Sequence, residues 1–485
     1  MTLHDDAAYL ALKTHDPRFD GRLYVGVTST GIYCRPVCRV RTPLRRNCQF
    51  FANAASAERE GFRPCLRCRP ELAPGLSLVD SSQVLAQHAA RLIEQAARSG
   101  DDPYLPDIAR RLGVTDRHLR RIFREAHGVT PIDYLATQRL LLAKQLLTDT
   151  DMPVTQVALA SGHASLRRFN AAFAERYRLN PSALRRQAGA TPRPREAAPS
   201  LRLAYRPPYD AAGVMAFLAQ RAMPGVEQVD GLELRRTLGW MHQGTWHRGW
   251  LQCRFVPPRH ELQLTLSPSL LPAVGAVMLR LRHALDLDAD PSLIDPALAS
   301  LPRPAPPGLR LPGSIDGFET AVRIILGQQV TVAAARTLAR RLVAELGQPV
   351  DTPFDGLDRL FPTATDIAAA DPERIGKLGI VRQRVAALQA LAREVAAGRI
   401  ELQPNTALTP TLEALRALPG IGEWTLQLIA MRVLAWPDAF PATDIGVLNA
   451  LGTRDVAAVQ GRAEAWRPWR AYAVMGLWQS LGDKP

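Results

Sequence analysis

The sequence predicts a multidomain, mainly α-helical protein that also contains two small α+β domains. Three observations support this prediction. Two close pairs of cysteines stand in an arginine-rich N-terminal stretch, in GIYCRPVCRVRTPLRRNC and GFRPCLRCRP. A helical pattern then occurs twice, and a tight Gly-x-Gly turn joins two apolar segments in LRALPGIGEWTLQLIAMRVLA near the C-terminus. A chain of 485 residues is long enough for several domains with separate hydrophobic cores.

The composition limits the functional classes. A net charge of +14 indicates an anionic partner. Six cysteines, four of them spaced as ligands, favour a reducing compartment over a disulfide framework. We expect Cys48 and Cys253 to be ordinary thiols. No apolar run approaches the roughly 18 residues of a spanning helix, and MTLHDDAAYL lacks the features of a secretory signal. We therefore expect no membrane contact.

The first domain is predicted to be a small zinc-binding α+β domain. Its ligands are Cys34 and Cys38 in a C-x3-C pair, and Cys65 and Cys68 in a C-x2-C pair. Four thiolates form a closed tetrahedral shell around one Zn²⁺. One interpretation is a purely structural zinc knuckle. The other is a reactive thiolate, which the surrounding arginines favour because they would attract a polyanion to the nucleophilic sulfur.

The second domain is predicted to be an all-α double helix-turn-helix domain. IARRLGVTDRHLRRIFREAHGVTP recurs in looser form as VALASGHASLRRFNAAFAERYRLNP. Gly113 and Gly162 occupy the two turns. The helices that follow are predicted over 115–125 and 165–175.

Each of these two helices has a basic face. Leu119, Ile122 and Phe123 fall together on the apolar face of the first helix. The candidate DNA-contacting side chains are Arg117, His118, Arg120, Arg121 and Arg124 in the first helix and Arg167, Arg168 and Asn170 in the second. A solvated charged face is the alternative for any one such helix. Two in tandem, behind an arginine-rich zinc domain, favour DNA.

A linker is predicted over 189–200, within QAGATPRPREAAPS, because the stretch is rich in proline and small residues. A small α+β domain is predicted over 201–311. LRLAYRPPYD, LELRRTLGW, WLQCRFVPP and HELQLTLS have the pattern of strands, and 211–221 and 272–285 have that of helices. This domain offers no chemistry of its own in the sequence.

The chain is predicted to be helical from Pro312 to its end, with a helix-hairpin-helix at LPGIGEWT. Gly420 and Gly422 would allow a left-handed turn and bring backbone N–H groups close to a phosphate. A helix C-cap followed by a turn is the alternative. Asp444 in FPATDIGVLNALG precedes an apolar helix, so a plain N-cap is an alternative to a functional carboxylate.

The N-terminal segments TSTGIYCRPVCR and EGFRPCLRCRP resemble the methyl phosphotriester domain of the Ada-type alkylation repair proteins, over about residues 1–78. The resemblance implies that Cys34 accepts a methyl group from an alkylated DNA phosphate and that Cys38, Cys65 and Cys68 complete the zinc site. The single zinc would be both structural and reactive. Residues 81–188 resemble the AraC-type DNA-binding domain.

The C-terminal half, with LRLPGSIDGFETAVRIILGQQV, LPGIGEWT, FPATD and AWRPWRAYAVMGLW, is similar to the AlkA-type 3-methyladenine DNA glycosylases II. RPPYD matches the N-terminal domain of that family, and 312–485 matches its helix-hairpin-helix glycosylase domain. The resemblance implies that Asp444 is the catalytic carboxylate. It implies a base pocket of Trp424, Trp478 and Leu428 and DNA contacts by Gln329, Gly420, Gly422 and Thr425, with Gln329 filling the space of the flipped nucleotide.

The expected reaction is hydrolysis of the N-glycosidic bond of alkylated bases such as 3-methyladenine and 7-methylguanine. Their positive charge would be attracted to indole faces by cation–π interaction. Related enzymes that cut the strand have a lysine where this chain has Trp424, so we expect a monofunctional enzyme without a Schiff base. The sequence departs from the family pattern at Leu428, Thr443 and Gln479. These departures affect which alkylated bases we expect the enzyme to excise. We expect neither an iron–sulfur cluster nor repair of O6-alkylguanine. A monovalent cation bound at the helix-hairpin-helix is a further hypothesis.

Two hypotheses follow. In the first, an alkyl-base glycosylase is fused to a methylation-responsive transcription regulator. In the second, the chain is a DNA-binding regulator whose glycosylase half only holds DNA. In both, the expected partners are damaged and promoter double-stranded DNA and RNA polymerase. We expect the protein to be a monomer. The expected location is the bacterial cytoplasm, in association with the nucleoid.

Overall fold

A computed structural model describes residues 5–15, 19, 23–38, 40–51, 54–65, 68, 81–99, 104–150, 152–187, 200–242, 244–404, 406 and 408–482. The chain forms two compact units, Met1–Ala143 with Gln460–Arg470 and Lys144–Val459 with Ala471–Pro485. The predicted linker lies outside the described residues except for Ser200. In the described part of the chain, no helix is long and apolar enough to cross a membrane.

The first unit begins with a small four-stranded sheet. Its elements are α1 (Asp5–Lys13), β1 (Tyr24–Val27), β2 (Ile32–Cys34), β3 (Cys48–Phe51), α2 (Ala54–Arg59) and β4 (Arg63–Pro64). The strand order is β3-β1-β2-β4. β2 and β4 are parallel, with Tyr33 opposite Pro64, so the residues that follow, Cys34 and Cys65, reach the same end of the sheet. Tyr24, Tyr33, Ala57 and Phe62 form the core.

The first helix-turn-helix follows in the same unit, except that the last residues of its final helix belong to the second unit. Its elements are α3 (Ser81–Ser99), α4 (Leu105–Arg111), α5 (Asp116–His127) and α6 (Pro131–Asp149). Thr115 caps α5 by accepting the N–H of His118 at 3.2 Å. Leu119, Ile122 and Phe123 are fully buried, which confirms the predicted apolar face.

The second helix-turn-helix lies in the second unit. It comprises α7 (Val154–Ala160), α8 (Leu166–Tyr177) and α9 (Pro181–Gln187). Ser165 caps α8, and Phe169 and Phe173 are fully buried. The two recognition helices therefore have matching caps and matching apolar faces, as the internal repeat predicts.

A five-stranded antiparallel sheet follows. The elements are β5 (Ser200–Ala204), α10 (Ala211–Arg221), β6 (Glu227–Asp230), β7 (Glu233–His242), β8 (Thr245–Val256), β9 (Glu261–Leu266) and α11 (Val274–Ala284). The order is β5-β9-β8-β7-β6. Leu262, Leu264 and Leu266 alternate into the core. The predicted strands and helices are confirmed, whereas β6, with the short polar sequence EQVD, was not predicted.

The remaining chain is helical. It contains α12 (Pro291–Ile294), α13 (Gly317–Leu326), α14 (Val332–Leu346), α15 (Ala364–Ala369), α16 (Pro372–Gly376), α17 (Arg382–Ala396), α18 (Leu408–Arg416), α19 (Glu423–Arg432), α20 (Ile445–Leu451), α21 (Val456–Ala463) and α22 (Arg470–Gly482). Short 3₁₀ turns occur at Arg45–Asn47, Pro257–Arg259, Pro268–Ala273, Asp295–Leu298 and Glu464–Trp466. Helix α13 is buried on nearly all sides, as expected for the central helix of a helical domain.

A buried ionic cluster joins the α+β sheet to α13. Arg236 of β7 donates to Glu319 of α13 at 2.6 Å, and Arg323 of α13 pairs with both Glu319 and Glu227 of β6. Burial alone would raise the pKa of Glu227, but Arg323 and Arg236 lower it below its ordinary value. Removing one partner from such a cluster would leave an uncompensated buried charge. The cluster thus fixes the sheet against the central helix.

Candidate active site and metal centre

The four predicted zinc ligands converge in the first unit. The Sγ atoms of Cys34, Cys38, Cys65 and Cys68 lie within 4.8 Å of one another, and all four side chains are buried. A tetrahedral zinc with Zn–S bonds of about 2.3 Å requires comparable sulfur separations. Hydrogen bonding to Cys34 first, then to the other two sulfurs, together with burial, raises the pKa of the Cys38 thiol. Four thiolates therefore need a cation, and Zn²⁺ fits this donor set.

The four sulfurs differ in their surroundings. The backbone N–H of Arg35 donates to Cys68 Sγ at 3.4 Å, and that of Cys68 donates to Cys65. An N–H donor stabilises charge on sulfur and so reduces its nucleophilicity. Cys38 is 1% exposed, against 6% for Cys34. Cys34 is thus more exposed than Cys38, and its sulfur is not one of the two that accept these backbone N–H groups.

The second unit contains a cavity of about 1360 Å³. It is lined by parts of α10, α13, α14, α17, α19, α20 and α22 and by the hairpin between α18 and α19. Every base-pocket or DNA-contact residue expected in the glycosylase half lines this cavity, namely Gln329, Gly420, Gly422, Trp424, Thr425, Leu428, Asp444 and Trp478. Residues that are distant in sequence are thus brought to one place.

Asp444 lies at the centre of this group. Its Oδ1 accepts the N–H of Val447 at 3.0 Å and the indole N–H of Trp478 at 2.8 Å, and its Oδ2 accepts the indole N–H of Trp424 at 2.9 Å. The side chain caps α20 and is 7% exposed. Asp444 is therefore an N-cap and also a cavity residue. The three donors hold both the carboxylate and the two indole rings in fixed orientations.

One wall of the cavity comes from α10. Phe217 and Trp478 have nearly parallel rings, with an interplanar angle of 10° and centroids 6.2 Å apart. The guanidinium of Arg221 lies 3.8 Å from the centroid of Phe217. Leu428 is buried and completes the apolar lining. Phe217 and Arg221 escaped the sequence prediction because α10 belongs to the α+β domain, and only tertiary packing brings it to the site.

The hairpin has the predicted tight turn, with one difference. Gly420 is left-handed (φ 75°), and a Cβ there would approach the Cβ of Ala387 to 3.1 Å. Gly422 is extended, with φ −90° and ψ 177°, so the left-handed expectation holds for Gly420 only. Gly422 is the N-cap of α19 and has no side chain to accept the first N–H groups of that helix. These groups can face a phosphate.

Two residues near the hairpin occupy contrasting positions. Thr425 is 2% exposed, and its hydroxyl accepts the Gln328 amide N–H at 2.9 Å. This inward hydroxyl does not support the expected DNA contact through the Thr425 side chain. Gln329 is exposed, lines the cavity and has φ 55°, an unusual conformation for a residue other than glycine. Such strain is common where a side chain must be held in a fixed position for function.

The basic faces of the two recognition helices are exposed to different degrees. Arg117, Arg121, Arg167 and Arg168 are exposed, whereas His118 is partly buried. Arg121 donates to Glu125 at 2.9 Å and lies 3.2 Å from His118 Nδ1. Burial, followed by the charge of Arg121, lowers the pKa of His118. A neutral His118 beside a cationic Arg121 is therefore expected at neutral pH.

Four family profiles match successive parts of the chain. They are "Metal binding domain of Ada" over residues 7–71, "Helix-turn-helix domain" over 108–187, "AlkA N-terminal domain" over 200–316 and "HhH-GPD superfamily base excision DNA repair protein" over 322–460. Each match overlaps one of the four regions inferred from the motifs, with different bounds.

Curated relatives cover the chain in whole or in part. "Probable bifunctional transcriptional activator/DNA repair enzyme AlkA" from Mycobacterium tuberculosis is 38% identical over 99% of this chain and 97% of its own length. "DNA-3-methyladenine glycosylase 2" from Escherichia coli is 34% identical over 58% of this chain and 98% of its own length. "Bifunctional transcriptional activator/DNA repair enzyme Ada" from the same species is 35% identical over 32% of this chain and 42% of its own length.

Proposed function

We propose that this chain, which belongs to the family of bifunctional transcriptional activators and DNA repair enzymes of the AlkA type, excises alkylated bases from DNA and regulates transcription in response to DNA methylation. The glycosylase hydrolyses an N-glycosidic bond. The observation that carries this proposal is the carboxylate of Asp444, held by Trp424 and Trp478 in a cavity beside the hairpin.

The excision mechanism follows from these residues. The target nucleotide leaves the stack, which costs least for a damaged base, and Gln329 fills the space it leaves. Asp444 then faces the sugar, where its negative charge stabilises the positive charge that develops as the base departs, and it guides water to C1′. Trp424 supplies no amine, so the product is an abasic site in an uncut strand.

The hairpin would hold the DNA backbone. The first N–H groups of α19 and the turn at Gly420 provide donors to a phosphate near the cavity. The Gly420 carbonyl already accepts the Gln328 amide at 2.8 Å, so a monovalent cation at the hairpin would use the remaining carbonyls. Comparing DNA affinity in potassium and choline salts tests this cation.

The direct test of the glycosylase is release of 3-methyladenine from an alkylated duplex by the full chain. We expect free base and abasic sites in equal amounts, without strand cleavage in the absence of alkali. An unalkylated duplex of the same sequence is the control. DNA binding without any base release would leave only the regulatory function.

We also propose that Cys34 accepts a methyl group from a methyl phosphotriester. Its thiolate sulfur attacks the methyl carbon, an S–C bond forms, the C–O bond breaks, and the phosphodiester anion leaves. Zn²⁺ held by Cys34, Cys38, Cys65 and Cys68 would keep the sulfurs deprotonated. Val25, Val27 and Val40 form an apolar surface beside the sulfurs of Cys34 and Cys38.

Methylation of Cys34 should strengthen DNA binding. A zinc site with four thiolates has a formal charge of about −2, and a thioether in place of one thiolate leaves about −1. Less negative charge beside phosphates raises affinity, and we expect the slope of log K against log salt to steepen by about 0.9. The measurement is affinity of the full chain for one duplex before and after exposure to methyl phosphotriester DNA.

Mass spectrometry must place the methyl group on Cys34 in that experiment. Cys48→Ser, which alters a buried thiol outside the cluster, is the control and should respond like the unaltered chain. Unchanged affinity with confirmed methylation of Cys34 would contradict the charge mechanism. Methylation of another ligand would contradict the choice of sulfur.

The assignment of functions to segments completes the proposal. Residues 1–78 would accept the methyl group, 81–188 would bind promoter DNA, 189–200 would link the two activities, and 201–311 with 312–485 would form the glycosylase. Arg117, His118, Arg121, Arg167 and Arg168 are the proposed groove contacts. We further propose that RNA polymerase is a partner and that the chain is a monomer. Size-exclusion chromatography tests the monomeric state.

A further inference from the structure

The cavity wall contains an arginine whose role the excision mechanism leaves open. Arg221 is the last residue of α10 and lines the cavity together with Phe217 and Trp478. Its Nη1 donates to the Phe217 carbonyl at 3.2 Å. Within the described part of the chain, Nε and Nη2 donate to no protein acceptor. These N–H groups are therefore available to a base that enters the cavity.

Several buried arginines lie around this wall. Arg221, Arg236, Arg323 and Arg432 interact in one electrostatic cluster with the carboxylates of Glu227, Glu319, Asp316 and Asp444. Arg236 and Arg323 form ion pairs with Glu319 and Glu227. Among the described residues, neither of the other two arginines has a carboxylate within ion-pair distance.

Both of the remaining arginines nevertheless stay cationic. Burial first, and then the charge of Arg323, lowers the pKa of Arg221 to about 10, while Asp444 opposes this shift. Burial, followed by Arg221 and Arg323, lowers the pKa of Arg432 to about 9. Both groups are protonated at neutral pH, so two guanidinium charges without an ion-paired carboxylate line the cavity.

This charge changes what the aromatic lining can recognise. The Phe217 ring has the Arg221 guanidinium 3.8 Å from its centroid and the Arg432 guanidinium at 4.9 Å. Arg221 also lies 6.0 Å from the centroid of Trp478. The guanidinium groups of Arg221 and Arg432 thus already make cation–π contacts with these rings. A base with a fixed positive charge would meet like charge there.

A neutral base with an exocyclic oxygen would be attracted by the Arg221 guanidinium and not repelled by it. Its oxygen can accept a hydrogen bond from the guanidinium, and a bond to a charged donor is stronger than one to a neutral donor. A site built to donate a hydrogen bond discriminates against ligands without the acceptor, because its buried donor is then left unpaired. Cationic bases remain substrates, since their glycosidic bond is already weak.

We propose that Arg221 is a specificity-determining residue, which favours neutral bases with an exocyclic oxygen over bases with a fixed positive charge. The inference rests on the proposed function, because it requires the cavity to be the base pocket.

The test compares two lesions at one position of the same duplex, 7-methylguanine as the cation and hypoxanthine as the neutral oxygen-bearing base. Single-turnover excision rates are measured for the full chain and for Arg221→Met, Arg221→Gln and Arg221→Lys. We expect Arg221→Met to raise the rate ratio of 7-methylguanine to hypoxanthine by about 10-fold or more, because a unit charge within about 6 Å is only partly screened. Arg221→Gln should shift the ratio in the same direction, and Arg221→Lys should stay near the unaltered ratio.

Arg280→Met is the matched control, because Arg280 also lies over an aromatic ring, that of Trp240, outside the cavity lining. It should leave the ratio unchanged. If Arg221→Met does not fold, as judged by its melting curve, Arg221→Gln decides the matter because it also removes the charge. An unchanged ratio in the folded neutral variants, or an equal shift in Arg221→Lys, would overturn the assignment. Failure of the unaltered chain to release 7-methylguanine would overturn the proposed function itself, whereas failure to release hypoxanthine alone would overturn only the assignment of Arg221.

Discussion

Replacing Asp444 by asparagine should reduce excision of 3-methyladenine roughly 100-fold or more, while the protein remains folded. The variant lacks the negative charge that faces the developing cation on the sugar, and such a loss costs several kcal/mol of transition-state stabilisation. Excision of 7-methylguanine should fall less, because its charged base leaves more readily unaided. Single-turnover kinetics on the two lesions measure both effects.

The hydrogen bonds of Asp444 set the expected stability of this variant. Asparagine keeps an acceptor for the backbone N–H of Val447 and therefore keeps the cap of α20. Its amide nitrogen would face the indole N–H of Trp424, where the carboxylate now accepts a bond. We expect a loss of about 1–3 kcal/mol in the free energy of unfolding from that mismatch.

Trp424→Phe is the control for this rearrangement. It removes the same hydrogen bond but keeps the carboxylate and an aromatic ring. Its excision rate should fall much less than that of Asp444→Asn. Excision near that of the unaltered chain by a folded Asp444→Asn protein would refute the catalytic assignment and favour a chain that only binds DNA.

Removing zinc should unfold the cysteine-bearing sheet and leave base excision intact. A structural zinc site contributes on the order of 10–16 kcal/mol of binding free energy, which is also folding free energy when the site forms only on folding. Cys38→Ser removes one ligand from a cluster at the end of β2 and β4. All residues that line the glycosylase cavity belong to the other compact unit.

The measurements are zinc content, limited proteolysis and single-turnover excision of 3-methyladenine by the full chain. Cys48→Ser is the matched control, because Cys48 is a buried thiol of β3 whose Sγ donates to the Leu44 carbonyl at 3.4 Å. It should retain zinc and a resistant N-terminal region. Full zinc occupancy in Cys38→Ser, or a loss of excision that parallels the loss of zinc, would contradict the prediction.

Features that depend on local spacing could be predicted from the sequence. Paired cysteines, the two helix-turn-helix units and the tight turn at Gly420 are encoded within a few residues, so their geometry follows from local backbone chemistry. The apolar faces of the recognition helices were correct for the same reason. Asp444 could be selected because a hairpin, a loop and an aspartate follow one another along the chain.

Features that depend on tertiary packing could not be predicted. Phe217 and Arg221 lie on a helix of another domain, and nothing in AFLAQR indicates a cavity. The inward hydroxyl of Thr425 depends on Gln328, which is distant in sequence. The grouping of Arg221, Arg323 and Arg432 in the cavity lining also emerges only when strands and helices assemble, because each arginine alone resembles an ordinary surface residue.

The contribution of α10 to the cavity has an evolutionary consequence. The carboxylate and the hairpin lie in the helical domain, while Phe217 and Arg221 come from the α+β domain. Substitutions in α10 can therefore change which lesion is preferred without altering the chemistry of bond cleavage. The same separation makes recombination between relatives at the domain boundary a route to new lesion preferences, provided that the recombined α10 still fits its neighbours.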